Sequence, residues 1–146
     1  MPRFFTVGQV REVLPRVKRL IAQAVEDKNA YQETELWSQN FMRRVMMMGG
    51  MVIDRKPFIQ NNEAQNRCGE RLKANVEQLQ ELGAVIKDLD RGLVDFPTLF
   101  RGNEVYICWQ MGEDEVAFWH GIDEGFAGRK PIDRDFLDNH SANDND

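Results

Sequence analysis

Apolar side chains recur every three or four residues from Val7 to Ala24, and this spacing constrains the fold more than any other feature of the chain. It is the spacing of one helix face, so it predicts a long amphipathic helix with a coiled-coil-like seam. Thr6 and Gln9 have the spacing of a capping box, which places the helix start at residue 7. Pro15 falls inside the pattern and is expected to kink or restart the helix, because proline removes a backbone hydrogen bond.

A second helix is predicted downstream, so that the first part of the chain forms a helical hairpin. The apolar stripe continues to Met48, where the glycine pair at 49–50 ends or hinges the helix. Residues 51–61 are expected to form the connection, because Pro57 disfavours helix there. The second helix is predicted over residues 62–82, packed antiparallel against the first.

The two predicted helices differ in length, which bears on assembly. Residues 7–48 would span about 63 Å as unbroken helix, and residues 62–82 about 31 Å. Either the first helix is broken or its distal part packs on something else, most economically a second copy of the chain. The methionines at 46–48, with Trp37 and Phe41 upstream, supply adaptable apolar surface for such a contact. We therefore predict a homo-oligomer, with a dimer favoured; in the alternative, these residues cap the core of one chain.

The sequence changes period after Gly83, from that of a helix to that of a strand. Segments rich in β-branched and aromatic residues predict strands at 84–87, 93–96, 105–109 and 116–120. With turn residues between them, they predict a small antiparallel β-meander packed against the hairpin. Alternation is expected to place on one face Val105, Ile107, Trp109, Val116, Phe118 and His120, and on the other Tyr106, Cys108, Ala117 and Trp119.

These elements predict an α+β fold, a long antiparallel helical hairpin followed by a small antiparallel β-meander. We expect a single domain over residues 1–137, with the hairpin in 1–83 and the sheet in 84–137. The polar residues 138–146 are expected to form a disordered tail.

Charge and composition narrow the classes of partner. Residues 1–60 hold ten basic and six acidic side chains, whereas residues 101–146 hold four and eleven, within a net charge of -5. This acidic balance argues against nucleic acid as a partner, and no apolar run approaches the ~18 residues of a membrane span. The chain opens without the apolar centre of a signal peptide, and its two cysteines have no ligand-type spacing. We therefore expect a cytoplasmic protein without nucleic-acid or membrane partners.

Several strings carry a resemblance to a known family. They are Asp88–Pro97 (Asp-Leu-Asp-Arg-Gly-Leu-Val-Asp-Phe-Pro), Val105–Trp109, Gly112-Glu113, Trp119-His120, Gly125–Pro131, and, in the helical half, Phe5-Thr6-Val7 and Leu14-Pro15-Arg16. Together they resemble the signature of an uncharacterised prokaryotic family, domain of unknown function 2203, over about residues 4–132. The connection after Gly50 is longer than the family pattern. The resemblance implies a two-helix front half before the β part, and it implies no activity.

The β part holds a set of residues with metal-ligand chemistry. These candidate ligands are Asp88, Asp90, Asp95, Glu113 and His120. A histidine with carboxylates suits Zn, Mn, Fe or Ni, so a divalent metal is a possible cofactor. No two of them have the spacing of a helix-face ligand pair. In the alternative, each acid is satisfied by an arginine or caps a turn, and the histidine is a half-buried sheet residue.

A small-ligand pocket is a further hypothesis. Asp95 and His120, with Arg91 and Arg129 nearby, have the chemistry to bind and polarise a small anion. The glycine-rich segment 125–129 would then be a flap over the pocket, or else a plain crossover. The sequence thus predicts a small oligomeric binding protein with a polar site in its β part. The alternative is a non-catalytic helical-hairpin module for interaction or scaffolding.

Overall fold

The computed structural model describes residues 3–49 and 53–143. The elements are α1 (Val7–Met48), α2 (Lys56–Glu81), β1 (Val85–Asp88), β2 (Leu93–Phe100), β3 (Asn103–Gln110), β4 (Phe118–Gly121), β5 (Lys130–Pro131), α3 (Arg134–Asn139) and β6 (His140–Ser141). Within the described ranges the strands form one antiparallel sheet in the order β1-β2-β3-β4-β5, and β6 pairs with β2. The predicted α+β fold, a helical hairpin followed by an antiparallel meander, is confirmed.

The predicted capping box starts α1. Gln9 N donates to Thr6 Oγ1 at 3.1 Å, and Thr6 N donates to Gln9 Oε1 at 2.9 Å. The helix then runs for 42 residues through Pro15, so of the two expected outcomes, a kink or a restart, the restart is excluded. Leu14 and Val17 flank the proline and are buried in the same core. Packing of both flanks outweighs the ~3 kcal/mol that an interior proline costs.

The second helix begins earlier than its apolar stripe suggests. α2 starts at Lys56, and Pro57 lies in its first turn, where a missing N–H leaves no hydrogen bond unmade. The expected connection over 51–61 is therefore corrected, and its described part is residues 53–55. With 26 residues α2 spans about 39 Å against about 63 Å for α1. Gly49 caps α1 in the left-handed conformation, whereas Gly50 lies outside the described residues.

One face of the sheet and the proximal half of the hairpin form the core. Val10 and Ile21 of α1 are fully buried in one cluster with Phe96 and Ile107 of the sheet. The ring of Phe5 meets that of Phe96 edge-on, with centroids 5.4 Å apart. Because side chains alternate along a strand, the neighbours of these core residues point to the opposite face, away from the helices.

The register of β4 differs from the expected one by one residue. Cys108 lies opposite Phe118 and Tyr106 lies opposite His120, so these four share one face. The expectation that His120 lies on the face of Ile107 is therefore wrong. Residues 111–117 connect β3 to β4, which starts at residue 118. The sequence of a connection of that length does not determine which residues of the two strands lie opposite each other.

The strand β2 continues beyond its expected end at Pro97. Pro97 O accepts from Phe5 N at 2.8 Å, so this side of the residue faces away from β3. The missing proline N–H lies on the same side and interrupts no bond of the β2–β3 ladder. The strand therefore runs on to Phe100.

We predict that Gly83→Ala destabilises the protein by about 2–3 kcal/mol. Gly83 has a φ of 93°, and an added Cβ would lie 2.3 Å from the ring of the buried Phe5. Urea unfolding measures the effect. Gly102→Ala is the matched control, because its φ is 81° but nothing lies within 4 Å of its Cβ. Equal losses in the two variants would show that backbone conformation alone, without the Phe5 contact, sets the cost.

The C-terminal segment is packed where a disordered tail was expected. Residues 138–139 end α3, and His140 pairs with Phe100 of β2. His140 Nε2 accepts from Val7 N at 3.0 Å, and its Nδ1 donates to Leu137 O at 2.9 Å. His140 thus caps the first turn of α1. The expected tail boundary is corrected for residues 138–143, and residues 144–146 lie outside the described residues.

Replacing His140 with alanine is expected to cost about 1–2 kcal/mol of unfolding free energy. The change removes the acceptor for Val7 N and the stacking of the imidazole on Phe136, whose centroid lies 5.1 Å away. Asp138→Ala serves as control in the same urea titration, because that side chain is 66% exposed. If the two variants are equally stable, the cap contributes nothing.

Candidate metal site

Three neighbouring strands bring one ligand-type side chain each to the face of the sheet that lies away from the helices. Asp95 of β2 lies directly opposite Cys108 of β3, and His120 of β4 lies opposite Tyr106, two residues from Cys108 along β3. A carboxylate oxygen, the thiol sulphur and a ring nitrogen all lie within 4.8 Å of one another. All three residues are buried, with 1%, 0% and 3% of their surface exposed. This convergence is the candidate site.

The imidazole of His120 is held from both nitrogens. Nδ1 lies 2.8 Å from Gly121 O, and Nε2 lies 2.9 Å from Asp95 Oδ2. A carbonyl oxygen only accepts, so Nδ1 carries a proton. These two contacts fix the orientation of the ring between the backbone of β4 and the carboxylate of Asp95.

Oδ1, the second oxygen of Asp95, has no hydrogen-bond partner among the residues that the structure describes. Among the described residues, the buried side-chain polar atoms that lack a hydrogen bond are Asp95 Oδ1 and Arg129 Nε. Leaving a buried polar atom unpaired costs about 1–3 kcal/mol, so such an atom calls for an explanation. Both lie beside Cys108: Asp95 is its cross-strand neighbour, and Arg129 stacks 4.1 Å over Phe118, its other neighbour.

The thiol of Cys108 is held in its neutral form in the absence of a cation. Burial, followed by the nearby charge of Asp95, raises the pKa of Cys108 from 9.0 to about 12. The guanidinium of Arg129 opposes this shift but does not cancel it. A thiol of this kind is a poor nucleophile at neutral pH, because the thiolate is the reactive form.

A cation–aromatic stack covers this side of the site. The guanidinium of Arg129 lies over the rings of Phe118 and Phe126, and that of Arg91 lies 4.4 Å over Phe126. Arg129 Nη2 donates to both oxygens of Glu113, at 2.7 and 2.8 Å. The side chain of Arg129 is 11% exposed and that of Glu113 is 24% exposed, so this ion pair is largely shielded from solvent.

The segment between β4 and β5 is tied down by its own ion pair. Lys130 Nζ donates to Glu124 at 2.6 Å, and Gly121 N donates to the same carboxylate at 2.9 Å. The hydrogen bond from Lys130 is the main reason that the pKa of Glu124 lies below its ordinary value. The glycine-rich segment thus packs as a closed crossover next to the ligand cluster.

The structure brings together only part of the predicted ligand set. Asp95 and His120 are in contact, whereas Asp88 accepts from Arg91 N within a turn and Asp90 pairs with Lys28 at 2.8 Å. Glu113 is committed to Arg129, as the alternative interpretation expected. Arg91 and Arg129, predicted to bind a small anion with Asp95, meet on the ring of Phe126.

Sequence reasoning missed Cys108. Alternation along β3 correctly places Cys108 on the face opposite to that of Ile107 and Trp109. The predicted register of β4, however, placed His120 on the face of Ile107, away from Cys108. Asp95 and Cys108 are both polar or ionisable residues inside otherwise apolar strand segments. A predicted pairing of Asp95 with Cys108 across the β2–β3 hairpin would have identified this cross-strand contact.

A family model described as "Uncharacterized conserved protein (DUF2203)" matches residues 3–132. The chain belongs to the DUF2203 family. The match spans both helices of the hairpin and every residue of the ligand cluster. No curated protein and no solved structure matches this DUF2203 chain. Over the described residues, its helices include none with the length and apolar character needed to cross a membrane.

Proposed function

We propose that this DUF2203 protein binds one divalent transition-metal ion at Asp95, Cys108 and His120. The observation that supports the proposal is that three buried ligand atoms lie within 4.8 Å of one another. In addition, Oδ1 of Asp95 has no hydrogen-bond partner among the described residues. A cation bound there would satisfy that oxygen. Donor atoms of a tetrahedral site lie about 3.5 Å apart, so small side-chain shifts suffice to close the cluster on an ion.

The donor set favours zinc-like ions over magnesium or calcium. Thiolate and imidazole are ligands that Zn²⁺, Co²⁺, Fe²⁺ and Ni²⁺ prefer, whereas Mg²⁺ and Ca²⁺ take oxygen ligands. A thiolate and a carboxylate together balance the charge of a divalent ion. This neutrality matters because an unbalanced buried charge is costly. Zn²⁺ is therefore the proposed ion.

The neighbouring groups have roles that fit such a site. Gly121 O accepts from His120 Nδ1, which fixes the ring so that Nε2 faces the cluster. Three protein ligands leave a fourth position for water or a small ligand. Binding of a small anion with the help of Arg91, Asp95 and Arg129 remains a prediction, as does a cytoplasmic location.

Titration of the full chain with Co²⁺, after treatment with chelator and reductant, tests the proposal. We expect one ion per chain, with a near-ultraviolet thiolate-to-cobalt absorption that Zn²⁺ abolishes and excess Mg²⁺ does not. Cys108→Ser, Asp95→Asn and His120→Gln are each expected to weaken binding by at least about 100-fold, more than the loss of a residue that only hydrogen-bonds to a ligand. A wild-type protein that binds no stoichiometric Co²⁺ or Zn²⁺ would rule the proposal out.

Two matched variants separate the site from general effects. Cys68→Ser removes the other free, buried cysteine, which lies in α2. Asp90→Asn removes a predicted ligand that instead pairs with Lys28. Both should bind Co²⁺ as the wild type does. Circular dichroism of every variant checks that a loss of binding is not a loss of fold.

A further inference from the structure

The distal half of the hairpin lacks a covering layer. Asp27 is the last buried residue of α1, and Cys68 is the first of α2. We call residues 28–49 and 53–67 the distal arm; none of its side chains is buried. The sheet covers the proximal half of the hairpin, but two helices alone cannot enclose their side chains. The distal arm is therefore half of a packing unit.

In the distal arm, α2 packs against one side of α1. Trp37 stacks on Phe41 at 5.1 Å, and Phe41 stacks on Phe58 of α2 at 5.5 Å. On the opposite side, residues 35, 36, 39, 42, 43, 46 and 47 recur at helical spacing and form what we call the outer face. Its large apolar side chains are solvent-exposed: Leu36 59%, Met42 47%, Met46 79% and Met47 81%. A patch of this kind marks an interaction surface.

The outer face is complementary to itself. Glu35 and Arg43 lie four residues on either side of Gln39, and Leu36 and Met42 lie three residues on either side. A two-fold axis near Gln39 would place Glu35 against Arg43 of a second copy, twice, and Leu36 against its Met42. A parallel arrangement would instead align like charges.

The wider charge pattern of the distal arm agrees with an antiparallel pairing. Its tip carries four exposed basic side chains against the single acid Asp54: Arg43, Arg44, Arg55 and Lys56. Nearer the sheet, the exposed charged side chains of the arm are Arg67 and three acids: Glu33, Glu35 and Glu63. Antiparallel packing brings the basic tip of one arm to the acidic part of the other, and this complementarity favours the register.

We propose that the outer face of the distal arm is a dimer interface, on which two copies of this chain pack antiparallel through α1. Such a contact buries the exposed apolar stripe of each α1. A second copy fits better than an unrelated protein, because both members of each charge pair and of each apolar pair lie on this one face.

The molar mass of the full chain, measured by light scattering across a wide dilution series, tests the proposal. We expect twice 17.0 kDa at high concentration, falling on dilution. Leu36→Glu with Met46→Glu should give a monomer at all concentrations, with unchanged helix content, because both side chains are exposed in one chain. A wild type that stays at 17.0 kDa throughout, which would leave the face to a different partner, overturns the proposal.

Charge reversal tests the antiparallel register. Glu35→Arg and Arg43→Glu should each weaken the dimer about tenfold, because each replaces two attractive pairs by two repulsive ones. An equal mixture of the two single variants, or the double variant, should recover wild-type affinity. Glu104→Arg, an exposed acid on the sheet, should have no effect. The proposed interface is wrong if the single reversals do not weaken the dimer, or if the mixture does not restore the wild-type affinity.

Discussion

Binding of Co²⁺ or Zn²⁺ is expected to release the thiol proton of Cys108, so that affinity rises at least about tenfold for each unit of pH near neutrality. Burial raises the pKa of this thiol to about 12, so the thiol is fully protonated near neutrality. A metal ion binds the thiolate, and one such proton must therefore leave for every ion bound.

Calorimetry in buffers with different heats of ionisation counts the released protons directly. The apparent affinity from Co²⁺ competition, followed between mildly acidic and mildly alkaline pH, gives the same number as a slope. Asp90→Asn, which leaves the cluster intact, should show the wild-type count. Affinity that does not change with pH would mean that the ion binds elsewhere, on groups that are already deprotonated.

The helical half was predictable because its signals are local. The capping box of Thr6 and Gln9 and the apolar spacing from Val7 onward depend on residues a few positions apart, and the structure bears out both. The corrections in this half concern the two prolines, whose local effect depends on where they lie in the helices. Pro15 is tolerated because the core holds both of its flanks, and Pro57 begins α2 instead of preventing it.

The candidate site was predictable only in part because it depends on register. The sequence singled out Asp95 and His120 by chemistry, and the two are in contact. Their third partner depends on which residue of β3 faces His120, and the connection over residues 111–117 leaves that open. A shift of one residue exchanges the faces of a strand, so Cys108 was placed away from the histidine that it adjoins.

The stability of the metal-free protein is expected to fall at alkaline pH in a way that depends on Cys108. The pKa of this thiol is about 12 in the folded protein, against an ordinary value of 9.0. Because the folded-state pKa is the higher one, the contribution is fully present below about pH 9 and is lost as the pH rises towards 12. At 1.36 kcal/mol per pKa unit, the total loss is about 4 kcal/mol, with about 3 kcal/mol gone by pH 11.

Urea unfolding of the wild type and of Cys108→Ala between pH 8 and roughly pH 11 isolates this effect, because all other alkaline titrations are shared by the two proteins. The variant should lose less stability than the wild type over this interval, by about 3 kcal/mol. In Asp95→Asn the difference should shrink, since the carboxylate is the second cause of the raised pKa after burial. Parallel curves for the wild type and Cys108→Ala would mean that the thiol ionises as freely in the folded chain as in the unfolded one, and that the cluster is open to water.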